Sequence, residues 1–144
     1  MVDRNVVTAR LAELADRIGY LRTRCPASAD DLVTDRDTRD LVSFNLMLAV
    51  QTCLDLASHV IADEGWPPAV SLADSFHRLA EHRVISPTTA RALARAAGLR
   101  NVVAHGYGRA DFRLVHAGAT SGLGDLETFA REVAAWVGVA QQSE

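Results

Sequence analysis

Residues 38–64 read TRDLVSFNLMLAVQTCLDLASHVIADE, a stretch without glycine or proline. Leu41, Phe44, Leu48, Leu56 and Val60 recur at helical spacing and predict the inner face of one long helix. At 1.5 Å per residue that helix is about 40 Å long. Gly65 and the pair Pro67-Pro68 end it. Upstream, Val7, Leu11, Leu14, Ile18 and Leu21 step by three and four, which predicts a first helix over 3–24, stopped by Pro26. Residues 27–37 are acidic and polar, a loop or one short turn. Downstream, Ser71 caps a third helix that turns Leu72, Phe76 and Leu79 inward, and His82-Arg83 closes it. Ser86-Pro87, a cap followed by proline at the first helical position, opens a fourth helix. That helix carries Ala90, Leu93, Ala94 and Ala97 towards Ala104, and Gly106 and Gly108 flank its end. A short segment at 111–116 and a small-residue loop at 117–124 precede a last helix over 125–140. Its inward residues are Leu126, Phe129, Val133, Trp136 and Val137. No stretch alternates apolar and polar residues long enough for a strand. The expectation is an all-α, antiparallel up-and-down bundle of four main helices plus short ones, in one domain over 1–144.

Composition agrees with a globular chain: 144 residues, 49% apolar and 23% charged. A domain of this size needs no disulfide or metal to hold its core. The two cysteines, Cys25 and Cys53, suit a reducing compartment and read as inert. No run of 18 apolar residues and no basic-then-apolar leader is visible, so the expected setting is cytoplasmic, away from membranes. His59, His77, His82 and His116 match no metal-ligand spacing, and no metal or cofactor is expected. Trp66, beside two prolines, is either an interface patch or a helix-end packing residue, while Trp136 reads as core.

The net charge of −3 disfavours a nucleic-acid partner only on average. All 15 basic residues are arginine. Residues 70–117 carry seven of them against three acids, whereas 1–69 carry seven against eleven and 118–144 one against four. The middle of the chain is therefore basic between acidic ends, and local charge is what focuses a field in a cleft.

One segment of that basic middle carries chemistry: Leu99-Arg100-Asn101-Val102-Val103-Ala104-His105-Gly106-Tyr107. An imidazole gives and takes protons near neutrality. A guanidinium is a planar fork that fits a phosphate or a phosphorane-like transition state. The two suffice in principle for cleavage of RNA without a metal. Asn101 and His105 are four apart and share a helical face, so Asn101 can orient the ring. Arg100 and His105 are five apart and point about 140° away from each other on a regular helix. They meet on one phosphate either if the helix loosens at its end, as Gly106 permits, or if a second subunit completes the site. Asp55, near Gln51 on the long helix, is either a partner that holds Arg100 or a solvent-facing carboxylate.

The string Arg100-Asn101-Val102-Val103-Ala104-His105-Gly106-Tyr107 resembles the R-N-x-x-x-H-x-Y form of the motif of HEPN ribonucleases, and more narrowly the HepT-like toxins of HepT/MntA toxin–antitoxin pairs. The helix running Leu48 to Ile61, the Ser71–Phe76 segment and the Val84-Ile85-Ser86 stretch follow the same family's order, so the likeness covers nearly the whole chain. It implies a homodimeric helical bundle and a type VII-like toxin that cleaves tRNA or mRNA without a metal. Arg100 would act on the phosphate and His105 as general acid and base, with Asn101 in support. Tyr107 would be the tyrosine that an MntA-like nucleotidyltransferase antitoxin modifies with AMP. The alternative is a non-catalytic helical subunit that dimerises and presents itself to a minimal nucleotidyltransferase.

Overall fold

The computed structural model describes residues 2–142. Among them are seven α-helices and one 3-10 turn, and no strand. The helices are α1 (Arg4–Arg24), α2 (Ala29–Thr34), α3 (Arg36–Glu64), α4 (Leu72–Glu81), α5 (Pro87–His105), α6 (Phe112–Gly118) and α7 (Leu123–Gln142), with the 3-10 turn at Tyr107–Arg109. Short side chains start them as helix termini require. Asp3 accepts from the amides of Asn5 and Val6, Asp35 from Thr38, Ser71 from Asp74 and Ser86 from Thr89. Gly65, at φ 71°, ends α3 in the left-handed conformation that glycine adopts freely.

Four long helices make a closed ring: α1 packs on α3 and α7, and α5 packs on α3 and α7, with α4 laid along α3 and α5. Cross-links give their directions. The Asp3 amide donates to Asp63 at 3.1 Å and Arg17 to Asn45 at 2.8 Å, so α1 and α3 run oppositely. Tyr107, just past α5, reaches Asp40 at the start of α3. Ser86, the cap of α5, donates its amide to Glu132 well along α7 at 2.6 Å. The bundle is thus up-and-down, as expected.

The core is filled by fully buried Leu14, Leu21, Leu54, Leu56, Leu79, Leu93, Phe76 and Phe129. Phe76 and Phe129 meet edge to face, with ring centroids 5.6 Å apart and planes at 89°. This contact joins α4 to α7 across the centre. Phe129→Ala is expected to lower stability by about 3–5 kcal/mol, through lost transfer energy and an unfilled cavity. Urea unfolding followed by circular dichroism measures it as a lower midpoint at unchanged slope.

Several expectations need correction. Phe44 is 54% exposed, and Leu41 and Leu48 are only half-buried. α3 is touched by α1, α4, α5, α6 and α7, so Val42, Leu46, Ala49, Val50, Cys53, Leu54 and Ala57 are buried around much of its girth. A central helix has no single inner stripe. Leu72 is 41% exposed, because it opens α4 at the rim of the bundle, while Phe76 and Leu79 point inward as expected. The 27–37 stretch forms the short helix α2.

The small-residue loop shrinks to 119–122 between α6 and α7. There Gly122 lies so close to Gly118 that a Cβ would stand 2.7 Å from the Gly118 carbonyl oxygen, which is why this turn uses glycine. Trp136 is half-buried rather than core, edge-on to Trp66 at 6.0 Å. Trp66 in turn stacks on His82 at 3.8 Å and 3°, a helix-end packing role. Among the described residues α3 alone is long and apolar enough to cross a membrane, and more than half of its apolar window is buried inside the bundle.

Candidate active site at the end of helix α5

Helix α5 remains α-helical through His105 and stops at Gly106, whose amide bonds to the Val102 carbonyl at 2.8 Å. The end of the helix therefore does not loosen ahead of His105. On this regular backbone the side chains of Arg100 and His105 diverge by about 140°. Arg100 is half-buried and lines a groove of about 820 Å³ between α3, α5, α6 and α7. His105 is exposed and is not part of that groove. Among the described residues no hydrogen bond or ion pair engages the imidazole, so both ring nitrogens are available.

Arg100 holds Asn101: its Nη1 donates to the amide oxygen at 3.0 Å. Asn101 shares a helical face with His105, but its oxygen is taken by the adjacent guanidinium, so the expected role of orienting the imidazole is not the one seen. The Arg100 Nε is buried with no hydrogen-bond partner. Asp55 does not supply that partner. Its carboxylate accepts from the Gln51 amide nitrogen at 2.9 Å, four residues back on the same helix.

Apolar side chains dominate the groove, with Leu46, Met47, Val50 and Leu99 on its walls. Val102, 41% exposed, and Leu114, 58% exposed, also line it and face solvent. Arg95 and Arg109 join Arg100 there. The basic excess of the middle segment is therefore partly gathered in one groove. Some of its other arginines are neutralised locally: Arg78 pairs with Asp74 at 3.3 Å, and Arg113 with Asp30.

Tyr107 lies in the 3-10 turn and leans back on the start of α3. Its hydroxyl donates to Asp40 Oδ1. Its ring stands edge-on to Phe112 at 5.2 Å, and the Arg39 guanidinium covers the other aromatic ring at 4.6 Å. Burial raises the phenol above its usual range, and the Asp40 carboxylate adds to that rise. The Ser43 hydroxyl and the Arg39 guanidinium pull the other way. Asp40, Arg39 and Phe112 went unnoticed in the sequence. Asp40 lies 67 positions from Tyr107, within an acidic stretch, and no spacing rule marks it.

The remaining histidines and cysteines have structural settings. His59 stands 3.0 Å from Asp63, His116 meets the Pro26 carbonyl at 2.8 Å, and His77 is exposed. Burial pushes both cysteine thiols up, which keeps them unreactive. Among the described residues no three His, Cys, Asp or Glu side chains cluster closely enough to hold a metal ion.

Residues 14–133 match the family model described as ribonuclease HepT-like. The chain belongs to the HepT-like ribonuclease family. The mRNA nuclease HepT of Shewanella oneidensis is 30% identical over 95 residues, 66% of this chain and 71% of that protein. The tRNA nuclease HepT of Aphanizomenon flos-aquae is 20% identical over 128 residues, 89% of this chain and 87% of that one. A solved structure of a tri-AMPylated Shewanella oneidensis HEPN toxin in complex with an MNT antitoxin has the same fold, with a TM-score of 0.84 at 23% identity over 92% of this chain and 99% of that one. The all-helical HEPN architecture read from the sequence is therefore the observed one, and the Arg100–Tyr107 segment lies within the residues matched to the HepT-like family.

Proposed function

We propose that this chain is the toxin of a toxin–antitoxin pair, a metal-independent endoribonuclease that works as a homodimer. One observation carries the reading: Arg100 and His105 are both uncommitted to other ionic partners, yet a regular helix points them apart. Two chains related by a two-fold axis, in a contact that spans the groove and the adjoining exposed end of α5, would bring Arg100 of one beside His105 of the other. The exposed Val102 and Leu114 support this face as the interface, because apolar side chains gathered in a groove mark association surfaces.

In that composite site His105 takes the proton of the RNA 2′-hydroxyl or gives one to the departing 5′-oxygen. Arg100 stabilises the charge that builds on the phosphorus oxygens through its planar guanidinium fork. Asn101 holds the guanidinium in place. Asp55 keeps to Gln51 and takes no direct part. The substrate is tRNA or mRNA, the two RNA classes named for the relatives.

The partner is an MntA-like nucleotidyltransferase that transfers AMP to Tyr107. An adenylylated phenol two residues beyond His105 adds bulk and negative charge at the cleft and repels the RNA backbone. Support comes from the closeness of Tyr107, in the turn just past α5, to the exposed His105 at its end, and from the AMPylated state of the Shewanella toxin.

Purified chain incubated with RNA in EDTA is the direct test. Cleavage is expected, and after incubation with the partner and ATP it stops as the mass of the chain rises by about 329 Da per AMP unit. An intact RNA pool at high enzyme concentration sinks the reading.

A further inference from the structure

We propose that Asp40 positions Tyr107 for nucleotidyl transfer and accepts its phenolic proton. The inference rests on Tyr107 being the residue that receives AMP. A phenol has a single proton, and here it is donated to Asp40 Oδ1. The carboxylate is held from one side by Arg36 and from the other by Arg39, each 3.8 Å away. Phe112 meets the Tyr107 ring edge-on, and Arg39 lies over Phe112. The hydroxyl thus has one direction and one acceptor.

Three physical features suit this pair to the reaction. First, a partly buried phenol hydrogen-bonded to a carboxylate ionises less readily than a free one, so at neutral pH it needs a base at the moment of attack. Second, the Asp40 side chain is about half exposed, so a proton it receives can pass on to water. Third, Arg36 extends into solvent beside the other carboxylate oxygen, Oδ2, a cation available to the phosphates of an arriving nucleotide. Other charges around the pair are Asp37 and Arg39 on α3, and Asp111 and Arg113 at the start of α6, where Arg113 is already paired with Asp30.

The step balances as follows. The phenolic oxygen attacks the α-phosphorus of a nucleoside triphosphate carried by the partner. The bond from that phosphorus to the bridging oxygen breaks, and pyrophosphate leaves with the electron pair. The phenolic proton moves to Asp40 Oδ1 and then to solvent. The product is a tyrosyl phosphodiester that can no longer donate to Asp40.

The test follows AMP incorporation into the full chain by intact mass, with the partner nucleotidyltransferase and ATP, from mildly acidic to alkaline pH. Asp40→Asn is expected to slow incorporation by about 10²-fold at neutral pH, then to recover by about tenfold per pH unit as the phenol itself ionises. The wild type stays flat over the same range. Asp40→Glu regains most of the rate. Binding of each variant to the partner, measured by calorimetry, stays at the wild-type value. Asp40→Asn modified as fast as the wild type or faster overturns the proposal. So does a loss that is the same at every pH, or one that accompanies weaker binding. Tyr107→Phe separates the two levels. If it still gains AMP, the acceptor is elsewhere and the underlying reading falls. If it gains none while Asp40→Asn is normal, the role of Asp40 alone falls.

Discussion

Alanine at His105 is expected to reduce RNA cleavage by about 10²–10⁴-fold, and alanine at Arg100 by about 10²–10³-fold. The imidazole moves the proton, and the guanidinium meets charge that exists fully only in the transition state. Neither substitution should cost much stability. His105 is exposed and engages no described group, and Arg100 gives up one hydrogen bond to its neighbour Asn101. Changes within about 0.5 kcal/mol are typical for such sites. Single-turnover cleavage of an end-labelled RNA measures the effect, and circular dichroism checks the fold. A mixture of the two inactive variants adds a sharper result. If Arg100 and His105 act across the dimer, each mixed dimer contains one intact site and one doubly deficient site. Statistical exchange then restores about a quarter of wild-type activity. A site built within one chain gives no recovery on mixing.

The second large effect concerns the groove face. Glutamate at Val102 or Leu114 is expected to convert the dimer to monomers and to abolish cleavage together with it. Both side chains are substantially exposed in the single chain, so a carboxylate there is solvated and the helix persists. In a dimer the same carboxylate is taken out of water without a partner, which costs about 3 kcal/mol or more and raises the dissociation constant by more than about 10²-fold. Sedimentation velocity reads the oligomeric state, and the cleavage assay is run on the same samples. Monomers with full cleavage activity overturn the composite site, and a dimer that persists in both variants overturns the interface.

Much of the architecture is legible without coordinates because helix boundaries are local events. Ser71 and Ser86 cap the helices they precede, and Gly65 and Pro26 stop those they follow. The Arg100–Tyr107 string is legible for the same reason: its spacing is written in one helix and one turn. Side-chain partners are less legible. Asn101 shares the face of His105 but bonds to Arg100, and Asp55 bonds to Gln51 rather than Arg100. In both cases a near neighbour on the same helix outcompetes a more distant partner, because holding it costs less conformational entropy. Phe44 fails as a core residue because α3 is surrounded by other helices, and periodicity assumes a helix with one buried side.

The sequence by itself determined an all-helical chain, the ends of its main helices, a basic middle segment and one motif able to move protons and bind phosphate. Tertiary structure alone decided that α5 stays regular through His105, that Arg100 opens into an apolar groove, and that Tyr107 is tied to Asp40 across 67 residues. The reason is physical. Capping and periodicity depend on residues a turn apart, whereas the partner of a side chain depends on which helices pack together, and that is set by the summed burial of the whole core.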